Sequence, residues 1–245
     1  MMKPVVANLA RITLVAALLL GPYPSAPIVS AYAQIGPIVG TGPLPIVPGA
    51  PATYCTGSAA SGMSASGTSG SLTANMTGCK TLVVFLYFNG SGAPSGITCT
   101  YNSVSMTLMG GSPFGAGTYT SVLYLANPSP GSNAVSCSWT NSAARGAIAA
   151  LGVTGGVGTV TGIQSSTSSG SLTVASSASS LVVSTVAASA VATISGGTTP
   201  IQQPDSGSGA EILSAGYIAG ATSTSVAWSQ NPTAVSGAAV GFSVN

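Results

Sequence analysis

From residue 72 onward the chain is a series of short runs rich in β-branched and aromatic residues, each closed by Gly, Pro, Asn or Ser. Runs of that length and punctuation predict the strands of an antiparallel all-β domain. In the first half they fall at Thr81–Phe88, Ile97–Tyr101, Val104–Met109, Tyr119–Ala126, Ala134–Thr140 and Gly146–Val153. In the second half they fall at Val160–Gln164, Leu172–Ala175, Leu181–Ala187, Val191–Ile194, Glu211–Ala219, Ser225–Trp228 and Gly237–Val244. Alternation is plain in Ala134–Trp139 (AVSCSW), where Val135, Cys137 and Trp139 share one face and Ser136 and Ser138 the other, as expected of a half-buried strand. Residues 53–71, dominated by Gly, Ser, Ala and Thr, read as loop.

The two halves resemble each other. Gly70-Ser71-Leu72-Thr73 recurs as Gly170-Ser171-Leu172-Thr173, and Leu82-Val83-Val84 as Leu181-Val182-Val183. Tyr124-Leu125-Ala126 matches Tyr217-Ile218-Ala219, Trp139 matches Trp228, and Gly146–Val153 matches Gly237–Val244, all in the same order. A duplication over about 70–154 and 170–245 fits either two tandem immunoglobulin-like domains or one jelly-roll sandwich of two similar halves. The junction Thr154–Thr159 holds no long polar linker, which favours a single sandwich over 53–245.

The amino terminus reads differently. Residues 1–33 have the layout of a secretory signal peptide: basic Lys3 and Arg11, the apolar run Ile12–Leu20, and a small-residue cleavage site at Ala31-Tyr32-Ala33. The alternative, an uncleaved anchor, would need an apolar run of about 20 residues, and Pro22, Pro24 and Pro27 end any helix soon after Leu20. Residues 34–52 carry Pro37, Pro43, Pro45, Pro48 and Pro51, a density that favours extended backbone. This arm or linker also holds Ile35, Ile38, Val39, Leu44, Ile46 and Val47. It is too apolar for an ordinary solvated spacer, and it is expected to act in self-association by adding extended backbone to a neighbour's sheet edge.

Charge narrows the function. Only 2% of the 245 residues are charged and there is no His, against about 25% charged in an average domain. Nucleic-acid backbones need clustered Lys and Arg, and common metal sites need clustered His, Cys or carboxylates; neither supply exists, so no nucleic acid and no cofactor or metal is expected. Loss of the leader would leave Lys80 and Arg145 against Asp205 and Glu211, a mature chain with no net side-chain charge. Disorder is disfavoured for so apolar a chain, and no further run suits a membrane span in the mature chain.

Candidate chemistry is sparse. Cys55, Cys79, Cys99 and Cys137 all follow the leader, and an even count in an exported chain argues for disulfides. Of the three pairings, Cys55–Cys79 with Cys99–Cys137 is favoured, the second tying neighbouring strands; buried free thiols are the alternative, and the absence of any C-x-x-C argues against metal. Asp205 and Glu211 are the only carboxylates. A glycosidase would need such a pair across a cleft, but Asp205 sits in a Pro-Asp-Ser-Gly turn. A Ser-His-Asp triad is impossible without His. Lys80 reads as a surface lysine at a strand start, and Gly155-Gly156-Val157-Gly158 as a tight turn. Asn75-Met76-Thr77 and Asn89-Gly90-Ser91 match N-glycosylation acceptors. Tyr87, Tyr101, Tyr119, Tyr124 and Trp139 could stack on sugars, although filling a sandwich core accounts for them as well.

Tyr101–Leu108 (YNSVSMTL), Val122–Pro128 (VLYLANP), Asn133–Trp139 and Val153-Thr154-Gly155 resemble a recurrent jelly-roll or immunoglobulin-like β-sandwich domain. Such domains occur in bacterial and archaeal exported surface proteins and in phage structural proteins. The resemblance spans roughly 70–245 and implies a binding or structural module without catalytic residues. The expectation is therefore an all-β, antiparallel sandwich (jelly-roll-like, two similar halves) preceded by a Pro-rich extended arm. Its function would be that of a secreted or cell-surface, non-enzymatic structural or adhesive protein that self-associates or binds another surface protein. The alternative is a carbohydrate-binding module using exposed aromatics.

Overall fold

The computed structural model describes residues 51–64, 67–90, 92–116, 118–143, 145–154, 160–166, 171–188, 191–195, 198–204, 212–231 and 237–244. Within them run β1 (Thr53–Tyr54), β2 (Ala60–Ser64), β3 (Gly67–Asn75), β4 (Thr81–Asn89), β5 (Ser95–Tyr101), β6 (Val104–Ser105), β7 (Thr107–Leu108), β8 (Phe114–Ala116), β9 (Thr118–Ala126), β10 (Ser132–Ala143) and β11 (Arg145–Thr154). The second half supplies β12 (Val160–Ser166), β13 (Ser171–Ala175), β14 (Leu181–Ala188), β15 (Val191–Ser195), β16 (Thr198–Pro204), β17 (Ile212–Ala219), β18 (Ser223–Asn231) and β19 (Gly237–Val244).

All pairings are antiparallel, in four sheets. Sheet I runs β1-β11-β4-β9-β7, with β2 also on β11 and β8 also on β9; sheet II runs β3-β10-β5-β6. Taking β1 and β2 together as the first of eight principal strands, sheet I holds the first, eighth, third and sixth and sheet II the second, seventh, fourth and fifth. That is the strand order of a jelly roll. Sheet III (β12-β19-β14-β17-β16) repeats the first, eighth, third and sixth positions and sheet IV (β13-β18-β15) the second, seventh and fourth; the fifth strand, β16, lies at the edge of sheet III, and sheet IV has no counterpart of β6 among the described residues. The antiparallel all-β sandwich with two similar halves is thus present, but each half builds its own pair of sheets instead of sharing one. A long linker is unnecessary because Thr154 ends a strand of sheet I and Val160 begins one of sheet III, and those two sheets lie face to face.

The layer order II–I–III–IV follows from the apolar clusters. Leu82, Val84, Leu86 and Phe88 of β4 join Val135, Cys137, Trp139 and Tyr101 between sheets I and II. Their alternates Val83, Phe85 and Tyr87 join Ala147, Ala149 and Leu151 of β11 against Leu181, Val183, Leu213 and Ala215 of the second half. A smaller cluster of Leu172, Val174, Val182, Val186 and Val226 fills the space between III and IV. Burial on both faces is why TLVVFLYF is a continuous apolar run without alternation. Stacking of Tyr54 on Tyr217, with centroids 4.7 Å apart, and a hydrogen bond from Ala52 N–H to the Ser179 carbonyl, 2.8 Å, fasten the two halves.

Register refines the repeat. Leu82 pairs with Leu125 and Val83 with Tyr124, as Val182 pairs with Ile218 and Val183 with Tyr217. Leu82 therefore corresponds to Val182, one residue beyond the Leu82–Leu181 match read from the sequence; a one-residue slip would turn every side chain to the opposite face. Likewise Val135 lies opposite Leu72 and Val226 opposite Leu172. Trp228 then occupies the register position of Cys137, not of Trp139.

Other differences have local causes. The stretch 53–71, expected as loop, contains β1, β2 and the start of β3; its small residues carry no β-branched pattern, and pairing with β11 and β10 supplies the order. The single strand expected over Val104–Met109 is divided between sheets II and I. It crosses at buried Met106, leaving Val104 and Leu108 exposed at the rim. Strand β16 was not anticipated because Pro200 and Pro204 demote such a run, yet Pro is tolerated on an edge strand, and β16 is one.

Candidate binding surface

Because odd and even residues of a strand face opposite ways, the alternation that drives Leu72, Val135, Cys137, Cys99 and Tyr101 into the core sets hydroxyls on the outside of sheet II. Ser71 lies opposite Ser136 on β10, which lies opposite Thr100 on β5, and Thr100 lies opposite Ser105 on β6. A second row runs Ser69, Ser138, Thr98. Neighbouring rows are about 6.7 Å apart along the strands, and strands about 4.8 Å apart across them. Thr98 Oγ1 and Ser138 Oγ share a hydrogen bond of 2.9 Å, and Ser95 Oγ bonds Thr140 Oγ1 at the end of the sheet. Among the described residues of these rows there is no ion and no aromatic ring. Sheet IV presents Ser171, Thr173, Ser223 and Ser225 outward in the same manner. In the sequence, the AVSCSW alternation and the shortage of charged residues both point to such a face.

The aromatic residues considered as a sugar platform are placed elsewhere, and that expectation is corrected. Tyr101 is fully buried, its hydroxyl donating to the Gly131 carbonyl at 2.7 Å and accepting from Asn133 Nδ2 at 3.1 Å. Trp139 is buried, edge-on to Phe88 at 4.9 Å, with Nε1 donating to the Gly67 carbonyl at 3.1 Å. Tyr87 is buried in the seam between sheets I and III. Tyr119 is half-buried against the I–II core. Rings enclosed on both faces cannot stack on a glycan, and these four do not form one exposed plane.

The cysteines come together in the favoured pairs. Cys55 and Cys79 are bridged with Cα atoms 5.7 Å apart, and Cys99 and Cys137, directly opposite each other on β5 and β10, are bridged at 4.1 Å. Closing loops of 24 and 38 residues, each bridge stabilises by roughly 3–4 kcal/mol in the chain-entropy treatment. The first bridge packs beside Gly152, where an added Cβ would lie 2.7 Å from Cys79 Sγ and 2.9 Å from Ser58 Oγ. Ser58 Oγ itself accepts from Gly152 N–H at 2.8 Å. The counterpart of the Cys99–Cys137 pair in the second half is the register pair Ile194–Trp228.

Lys80 is exposed at the start of β4, its N–H bonded to the Val153 carbonyl at 2.7 Å. The arm residues Ile35, Ile38, Val39, Leu44, Ile46 and Val47, the leader, the carboxylates Asp205 and Glu211, and the glycine turn 155–158 lie outside the described residues. Among the described residues no cluster of His, Cys, Asp or Glu could hold a metal ion, and no helix is long and apolar enough to cross a membrane. No protein-family model matches this chain, and no curated protein matches it at a significant level of similarity.

Proposed function

We propose that this chain is an exported, non-enzymatic structural or adhesive protein that self-associates or attaches to a surface. The observation that carries the reading is the outer face of sheet II, several strands wide, whose central rows are Ser and Thr hydroxyls. Hydroxyls are cheaper to desolvate than ions and are accommodated in a contact where each finds a hydrogen-bond partner, and a net charge near zero removes the repulsion that keeps proteins apart. Two disulfides support an oxidising compartment and hence export, and the jelly-roll strand order supports kinship with exported surface and phage structural proteins. With Tyr87, Tyr101 and Trp139 buried, the glycan-stacking alternative is left with half-buried Tyr119 and Tyr124.

The arm completes the proposal. Strand β3 ends sheet II and spans nine residues with neither Pro nor charge, two of the usual protections of an exposed edge. Ile35–Val47 of a neighbouring copy adds extended backbone there. Deleting residues 34–51 is expected to lower the oligomeric state measured by light scattering; an unchanged state would refute the role of the arm while leaving attachment through the hydroxyl face open to direct adsorption assays.

A further inference from the structure

We infer that Asn75 is a site of N-linked glycosylation and that Asn89 is not. The inference rests only on the export part of the proposed function. Both residues open an N-x-[ST] tripeptide, whereas Asn127-Pro128-Ser129 and Asn231-Pro232-Thr233 are blocked by proline at the middle position. The fold separates the two open acceptors.

Asn75 is exposed at the last position of edge strand β3, where the chain turns toward β4. Its Oδ1 accepts from Thr77 N–H at 3.1 Å and from Thr77 Oγ1 at 2.8 Å, an Asx turn that joins the amide to the hydroxyl of its own tripeptide. With both bonds on Oδ1, Nδ2 stands on the other side of the planar amide, and no hydrogen bond engages it among the described residues. The turn is held from below. Met76 is fully buried with its N–H on the Gly131 carbonyl at 2.9 Å, Cys79 N–H closes on the Met76 carbonyl at 3.1 Å, and Cys79 is bridged to Cys55. Gly78, at φ +78°, supplies the left-handed residue this closure needs. Asn89, by contrast, is half-buried at the last position of β4, a strand with neighbours on both sides, and is paired with Thr118 of β9 and Arg145 of β11. Asn75 is exposed and has a ladder neighbour on one side only, Ser132, so a glycan there leaves into solvent, while one on half-buried Asn89 would have to leave from between two ladder neighbours.

The co-reactant is a lipid-pyrophosphate-linked oligosaccharide presented by a membrane-bound transferase on the exported side. Nδ2 attacks the anomeric carbon, the new N–C bond forms as the C–O bond to pyrophosphate breaks, the lipid pyrophosphate leaves with the electron pair, and Nδ2 gives one proton to a base of the transferase. For the protein the gain is solvation: with a mean hydropathy of +0.55 and 2% charged residues, it has few other strongly hydrated groups.

The test is secretory expression of the full chain in yeast, with protein recovered from cells and medium digested by peptide N-glycosidase, which converts a glycosylated Asn to Asp. Peptide mass spectrometry is expected to find Asp at position 75 and Asn at position 89, with the modification lost in Asn75→Gln and Thr77→Val and kept in Thr77→Ser. An unmodified Asn75, or occupancy at Asn89 in its place, overturns the inference. The amino-terminal peptide in the same spectra distinguishes a failure of export from a failure of the acceptor, since only an exported chain begins after Ala33.

Discussion

Gly152 shows how a single side-chain hydrogen decides local structure. The disulfide Cys55–Cys79 and the buried hydroxyl of Ser58 converge on its backbone, and neither can retreat: one is covalently fixed, the other bonded to Gly152 itself. Gly152→Ala forces atoms below 3 Å and is expected to cost about 1–3 kcal/mol. In a domain of this size, melting falls by roughly 2–4 °C per kcal/mol. A differential scanning measurement showing an unchanged melting temperature would contradict the packing described around the first bridge. The cysteine pairs were legible because their count and spacing suit an exported β domain. The need for glycine at 152 was not, because it arises from residues far apart in sequence that meet only after folding.

At the scale of the element, β4 is the test case. A strand with one solvated face tolerates substitution at alternate positions; β4 has none to spare, since its even residues fill one core and its odd residues another. Phe85→Ala is expected to cost about 3–5 kcal/mol and Leu86→Ala about 2–5 kcal/mol, two neighbouring positions both severe. Ser136→Ala and Ser138→Ala, on the solvated side of β10, are expected to lie within about 0.5 kcal/mol of the parent. Denaturant unfolding of the four variants checks the contrast, and a mild effect at either β4 position would refute the four-layer packing. The strand pattern from Thr81 to Val153 was readable because β-branched runs and turn residues alternate there. Strands β1 and β2 were not, since β1 is only two residues long and the Gly, Ser and Ala of β2 become strand only when β11 offers its ladder. Continuous burial of β4 was visible in TLVVFLYF, although whether one core or two consumed it depended on how the halves pair.

At the largest scale, the described residues from 51 to 244 form two similar antiparallel sandwiches packed through their larger sheets. Stability should be almost independent of acidity, because two carboxylates and no His leave few groups whose proton binding could differ between folded and unfolded states. The expected melting temperature is nearly level from pH 7 to pH 3, and a steep fall across that range would show titrating groups this sequence does not contain. The candidate surface was the least legible feature in the sequence, since abundant Ser and Thr look like loop composition until strand register lines them up. The decisive measurement is the assembly state of the exported chain, taken by light scattering alongside intact mass under non-reducing conditions. A discrete oligomer or filament with both disulfides closed is the predicted result. A stable monomer, at concentrations where neutral hydroxyl faces and free sheet edges should associate, would contradict self-association as its function.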